Sequence, residues 1–291
     1  MIAHQAQGLR DRRPGASADR GATSAAEARG RILGIASGKG GVGKSALAVN
    51  LALAAAATGA STLLIDGDLG LANADLLMGL VPGFDLGDFA EGRCAFEAAI
   101  VAGPGRLELL VVGGRAAAVA ALERGLRGAP GEALGARIDA RSLTVLDLGA
   151  GIGAGVIELA RHCEPVWLVA TPEPTSLADA YTTAKQLWER EPALQLELVV
   201  NRATDRATGE RTHRALDRLT RRFLDRPLPL RAILPDDPAM GQAVARQTPV
   251  LLDAPNAPIA RRIRLLAESI VEERRARRAR PPAGIAPGPG L

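Results

Sequence analysis

Two of the three lysines in this 291-residue chain stand five positions apart in one glycine-rich segment, Gly38-Lys39-Gly40-Gly41-Val42-Gly43-Lys44-Ser45. Gly38, Gly43, Lys44 and Ser45 fit the phosphate-loop spacing G-x-x-x-x-G-K-[ST]. Glycines let successive backbone N–H groups converge on phosphate oxygens, and a helix starting at Ser45 adds partial positive charge. The pattern predicts that Lys44 neutralises the β- and γ-phosphates of ATP and that the Ser45 hydroxyl ligates Mg²⁺. The other basic residues are nearly all arginine. A lysine kept in such a background marks a place for a compact ammonium rather than a planar fork.

Carboxylates recur where apolar runs end. Thr62-Leu-Leu-Ile-Asp66-Gly-Asp68 leads into an acidic loop, and Leu143-Thr-Val-Leu-Asp147-Leu-Gly149-Ala150-Gly151 ends in glycines. A carboxylate at a strand end beside a phosphate loop can hold metal-bound water or orient an attacking water. Asp147 is expected to reach Mg²⁺ through water, and Gly149–Gly151 to sense the γ-phosphate. Asn201, beside Arg202, closes another apolar run, and Pro235-Asp236 follows the last one. An amide both donates and accepts, which suits the edge of adenine; it suits a turn cap equally.

These groups need a scaffold that gathers strand ends on one edge. The runs Ile32–Ala36, Thr62–Asp66, Leu107–Val112, Leu143–Leu148, Val166–Ala170, Leu196–Val200 and Ala232–Leu234 have the length of buried strands. Helical patterns cover Ser45–Thr58, Gly155–His162, Leu177–Glu189, Thr208–Phe223 and Pro258–Val271. Their alternation predicts an α/β fold, a mostly parallel sheet with helices on both faces in three layers. Right-handed crossovers then place ligand at the carboxyl ends of the strands. Three regions are expected: a flexible arm over 1–30, the α/β domain over 31–272, and a basic, Pro/Gly-rich disordered tail over 273–291.

Lys39 is not required by an ordinary phosphate loop. With it, KGGVGKS resembles the deviant Walker A loop of the MinD/ParA ATPase family, over roughly Arg31–Val271. That resemblance implies an ATP-dependent homodimer in which Lys39 crosses to the partner's nucleotide and takes part in catalysis with Lys44. It also implies that Asp68 positions the hydrolytic water, that Asp66 supports the metal's outer shell, and that Asn201-Arg202 and Pro235-Asp236 lie against adenine. Leu148 stands where the family commonly has Thr or Ser. DLGLANAD (68–75) and ATPEPTSLADAY (170–181) look most like the FlhG (FleN) group, which regulates flagellar number and placement. His4-Gln5-Ala6-Gln7-Gly8-Leu9-Arg10 resembles that group's activator motif with His4 for Asp. It implies contact with an FlhF-like, signal-recognition-type GTPase through Gln5, Leu9 and Arg10.

Composition bounds the alternatives. Net charge is +4, with the excess in the two ends, so the body is near −2; this argues against a basic face for nucleic acid. A ParA-like DNA-segregation ATPase is the second reading, resting on Arg211, Arg214, Arg218, Arg221 and Arg222 along one helix. Cys94 and Cys163 fit neither a disulfide framework nor the cluster motifs of a nitrogenase-type iron protein. No apolar run is long enough to span a membrane. A cytoplasmic protein is expected, with weak or conditional contact at the inner membrane face. Ile259, Ile263, Leu266 and Ile270 make one helix face apolar, and docking on the domain's own core is its first use. Arg274–Arg280 would favour anionic headgroups.

Overall fold

The computed structural model describes residues 32–279, apart from 71 and 152. In chain order the elements are β1 (Ile32–Ser37), α1 (Lys44–Ala57), β2 (Thr62–Gly67), α2 (Ala74–Met78), α3 (Leu86–Ala90), a 3₁₀ turn (Phe96–Ala99), β3 (Ile100–Ala102) and β4 (Leu107–Val111). Then follow α4 (Ala116–Leu126), α5 (Ala133–Asp139), β5 (Leu143–Ala150), α6 (Ala154–Ala160), β6 (Val166–Ala170) and α7 (Pro174–Arg190). The last described elements are β7 (Leu196–Ala203), α8 (Arg206–Leu224), β8 (Leu230–Pro235), α9 (Pro238–Ala245), α10 (Val250–Asp253) and α11 (Pro258–Ala279).

Among the described residues the strands form one eight-stranded sheet in the order β3-β4-β2-β5-β1-β6-β7-β8. Every neighbouring pair is parallel except β3 with β4. The expected mostly parallel sheet is present. β1 sits between β5 and β6, so the loop after it emerges near the middle of the carboxyl edge, where ligands bind in open α/β sheets.

Side chains alternate across a strand, and here the alternation sorts chemistry from packing. Leu64, Val145 and Val199 share one core layer with α1 and α11. Leu63, Leu146, Leu148 and Val200 share the other with α4 to α8. Asp66 and Asp147 follow the parity of Leu64 and Val145. Both carboxylates therefore face the layer where α1 begins. Leu148 faces the opposite layer and is fully buried. An apolar residue there satisfies the core, and a hydroxyl at that position would not reach the phosphate side.

The final helix departs from the expected boundaries. It runs to Ala279, past the expected end of the domain at 272. Ile259, Ile263, Leu266 and Ile270 are buried against the α1 layer, so that face is core. Arg274, expected among the cations facing lipid, is buried and donates to the Glu164 carbonyl at 2.7 Å. No described helix is long and apolar enough to cross a membrane.

Candidate nucleotide site

The loop from Gly38 to Gly43 is held on three sides. Ser37 Oγ donates to the Lys39 carbonyl at 3.0 Å, fixing the first bend. Asn201 Nδ2 donates to the Val42 carbonyl at 2.8 Å, tying the last turn to the end of β7. At Gly38 a β-carbon would lie 2.3 Å from the backbone carbon of Asp179, so the loop is wedged directly against α7. Gly43 has φ +89°, a left-handed turn into α1 that glycine adopts without steric cost.

Lys44 opens α1 and is almost fully buried. Its Nζ lies 2.6 Å from Asp147 Oδ1 and 3.2 Å from Ser45 Oγ. Burial pushes the Asp147 carboxyl up to about 6, against the downward pull of Lys44. Its other oxygen, Oδ2, is buried with no hydrogen-bond partner among the described residues. An orphaned carboxylate oxygen beside a serine hydroxyl is a hard-oxygen donor set, which suits Mg²⁺ completed by waters and phosphate. Ser45 and Asp147 would hold such an ion, whose charge would offset that of the phosphates.

Asp66 pairs in register with Asp147 across β2 and β5 and is fully buried. Its Oδ1 accepts from the Asp68 N–H at 3.1 Å, and its Oδ2 from the N–H groups of Asn73 and Ala74 at 2.8 Å each. Burial raises its pKa, and these backbone bonds oppose the rise. Asp66 thus folds the acidic loop and starts α2. Each of its two oxygens accepts from backbone N–H groups. Asp68 is half-buried, accepts from the Gly70 N–H at 3.2 Å, and lies 3.7 Å from where a β-carbon on Gly149 would be. The two loops expected to flank a γ-phosphate therefore meet. The Gly151 N–H, donating to the Ser37 carbonyl at 2.8 Å, joins the second of them to the phosphate loop.

The phosphate loop, Ser45 and Asp68 line one open cleft of about 1040 Å³, with Asp66 and Asp147 buried behind its wall. Lys39, Gly40, Gly41, Gly43, Lys44, Ser45 and Asp68 line one part. Asn201, Arg202, Pro235 and Asp236 line another, together with Met240, Val244 and Ile263. Arg202 has φ +54°, a left-handed conformation costing a non-glycine residue about 1–3 kcal/mol. It falls where the β7–β8 register shifts, next to the residue aimed at the phosphate loop. Two features go beyond the sequence reading. Asn201 braces the loop, and Asp237 accepts from both Ala239 N–H and Ile259 N–H, joining the starts of α9 and α11. Gln5, Leu9 and Arg10 lie outside the described residues.

Comparison with known proteins agrees with this geometry. Residues 33–250 match the CobQ/CobB/MinD/ParA nucleotide binding domain. The chain is 32% identical to the antiactivator FleN of Pseudomonas aeruginosa, over 82% of this chain and 86% of that one. It is 30% identical to the septum site-determining protein MinD of Bacillus subtilis, covering 83% and 91% of the two chains. The cell division ATPase MinD of Pyrococcus furiosus superposes with a TM-score of 0.67 at 25% identity, over 84% of this chain and 99% of that one.

Proposed function

The chain belongs to the CobQ/CobB/MinD/ParA nucleotide-binding family as one of its ATPases, and we propose that it works as an ATP-driven dimerisation switch governing flagellar number or placement. The observation that carries the switch is the different placement of the two loop lysines. Lys44 is 6% exposed and belongs to its own phosphate site. Lys39 is 31% exposed and points to the rim of the cleft, beside Glu173. A cation on the rim can reach the phosphates of a second protomer docked across the cleft. ATP then bridges two chains, with Mg²⁺ held by Ser45 and Asp147. Charge neutralisation by Lys44 and Lys39, with water positioned by Asp68, gives slow hydrolysis that ends the dimer.

The flagellar assignment rests on the relationship to FleN and on DLGLANAD and ATPEPTSLADAY. The same assignment makes His4–Arg10 the segment that engages an FlhF-like GTPase. Weak membrane contact falls to residues beyond α11's buried face. Size-exclusion chromatography with light scattering tests the switch. Wild type shifts to a dimer with ATP and Mg²⁺, and Lys39→Ala stays monomeric; a Lys39→Ala protein that dimerises normally would sink it.

Placement of a division site or of DNA is the second reading, favoured by the MinD relatives. For DNA, three of the five α8 arginines are already engaged on their own helix. Arg221 and Arg214 pair with Asp217 and Glu210 at 2.8 and 4.0 Å, and Arg211 donates to Thr208. A salt-dependent shift of duplex DNA with ATP would revive it.

A further inference from the structure

Glu173 stands at the N-cap position of α7, yet its side chain caps nothing in its own helix. Its carboxylate reaches instead across 134 positions of sequence to Lys39, with Oε2 2.7 Å from Nζ. Thr175 Oγ1, two residues on in the first turn of the same helix, accepts a second bond from Lys39 at 3.1 Å. The placement is not left to two mobile side chains, because Gly38 is wedged against the α7 backbone at Asp179. The residue before Lys39 and the helix carrying Glu173 are thus fixed to one another.

We propose that Glu173 and Thr175 form a latch that parks Lys39 on its own chain and sets the threshold for dimerisation. The inference rests on the switch function proposed above and adds its regulation. A lysine held in cis is not free to reach another protomer's phosphates, so each chain must release its latch before the dimer closes. Half-exposed ion pairs contribute little individually, equivalent to about 1.5-fold to fivefold in an equilibrium. A symmetric dimer breaks two latches, so the effect squares to about twofold to twenty-five-fold in the dimer constant. The latch is a modest, salt-sensitive brake rather than a lock.

Two measurements on the full chain test it. The first is acetylation of nucleotide-free protein by N-hydroxysuccinimide acetate, read by mass spectrometry. Only three lysines compete, and Lys185, 46% exposed and 3.8 Å from Glu189, is the internal reference. Glu173→Gln raises the rate at Lys39 relative to Lys185 by about 1.5-fold to fivefold, following the strength of the pair. The second is the dimer dissociation constant with Mg²⁺ and a non-hydrolysable ATP analogue, by sedimentation velocity. Glu173→Gln tightens it by about twofold to twenty-five-fold. Unchanged labelling of Lys39, or a dimer no tighter than wild type, overturns the latch. If neither wild type nor variant dimerises, the switch itself fails and the latch regulates nothing, whatever the labelling shows. Should Glu173→Gln not fold, Thr175→Val removes the second bond alone and carries the same test with a smaller change.

Discussion

Lys44 Nζ and Asp147 Oδ1 lie 2.6 Å apart, and the two side chains are 6% and 1% exposed. The lysine opens α1, which follows β1, and the aspartate lies within β5, so the contact also ties the phosphate loop to the strand beside β1. A buried pair of this kind contributes little net stability, but removing one partner leaves an uncompensated charge, at about 3–5 kcal/mol. Lys44→Ala should therefore lower stability by that amount in addition to abolishing ATP binding. Urea unfolding together with titration calorimetry checks both. A variant that loses ATP binding with unchanged stability would show that the pair carries no structural weight.

Asp147 also makes stability depend on pH. Its carboxyl is held up at about 6, from an ordinary value of 3.8, chiefly by burial. The folded protein therefore keeps a proton that the unfolded chain has already released. The contribution is fully present below the unfolded value and is lost as pH rises through about 6. Between about pH 4 and pH 6, wild type should lose stability relative to Asp147→Asn. The slope of that difference is the diagnostic, because the variant's unpaired Lys44 shifts its absolute level. Urea titrations across the range give the slope, and a flat difference would contradict the protonation.

The seven expected strands are all present because each is a short apolar run broken by a polar residue, proline or glycine. β3 escapes such reading: three residues on an antiparallel edge bury too little to stand out. α4 escapes for another reason. Ala116-Ala-Ala-Val-Ala-Ala-Leu has no contrast between its faces, and packing alone selects the side that is buried. In the site, Lys44, Ser45, Asp68 and Asp147 were legible because motif spacing fixes them near one strand edge. The engagement of Asp66 with Asp68, Asn73 and Ala74 was not, since it depends on how a loop folds back over seven and eight residues. The pairing of Lys39 with Glu173 was equally hidden, because nothing local links positions 134 apart.

Asp68 tests catalysis separately from binding. It lies on the loop organised by Asp66, next to Gly149. Asp68→Ala should bind ATP with little change and hydrolyse it about 10²-fold to 10⁴-fold more slowly, the usual contribution of a positioned proton-transfer group. The proposed switch then requires the variant to persist as an ATP-bound dimer. Phosphate release and light scattering on the same sample measure the two effects. An Asp68→Ala protein that is monomeric in ATP would separate hydrolysis from the assembly cycle and defeat the model of ATP as a timer.

Asn201 has two competing roles that one experiment separates. Its Nδ2 is already donated to the Val42 carbonyl at 2.8 Å, and the residue is largely buried. Losing that bond leaves a loop carbonyl short of a partner and frees the turn that aims Gly43 and Lys44. The loss is worth about 1–3 kcal/mol, or about fivefold to 150-fold in affinity. A brace on the phosphate loop acts on anything carrying phosphates, whereas a group reading adenine acts only on ATP. Asn201→Ala should therefore weaken ATP and inorganic tripolyphosphate by the same factor and leave the preference for ATP over GTP intact. Competition binding with all three ligands gives the comparison. A loss confined to ATP would return Asn201 to the edge of the base, with its contact to Val42 reduced to a way of holding the amide in place.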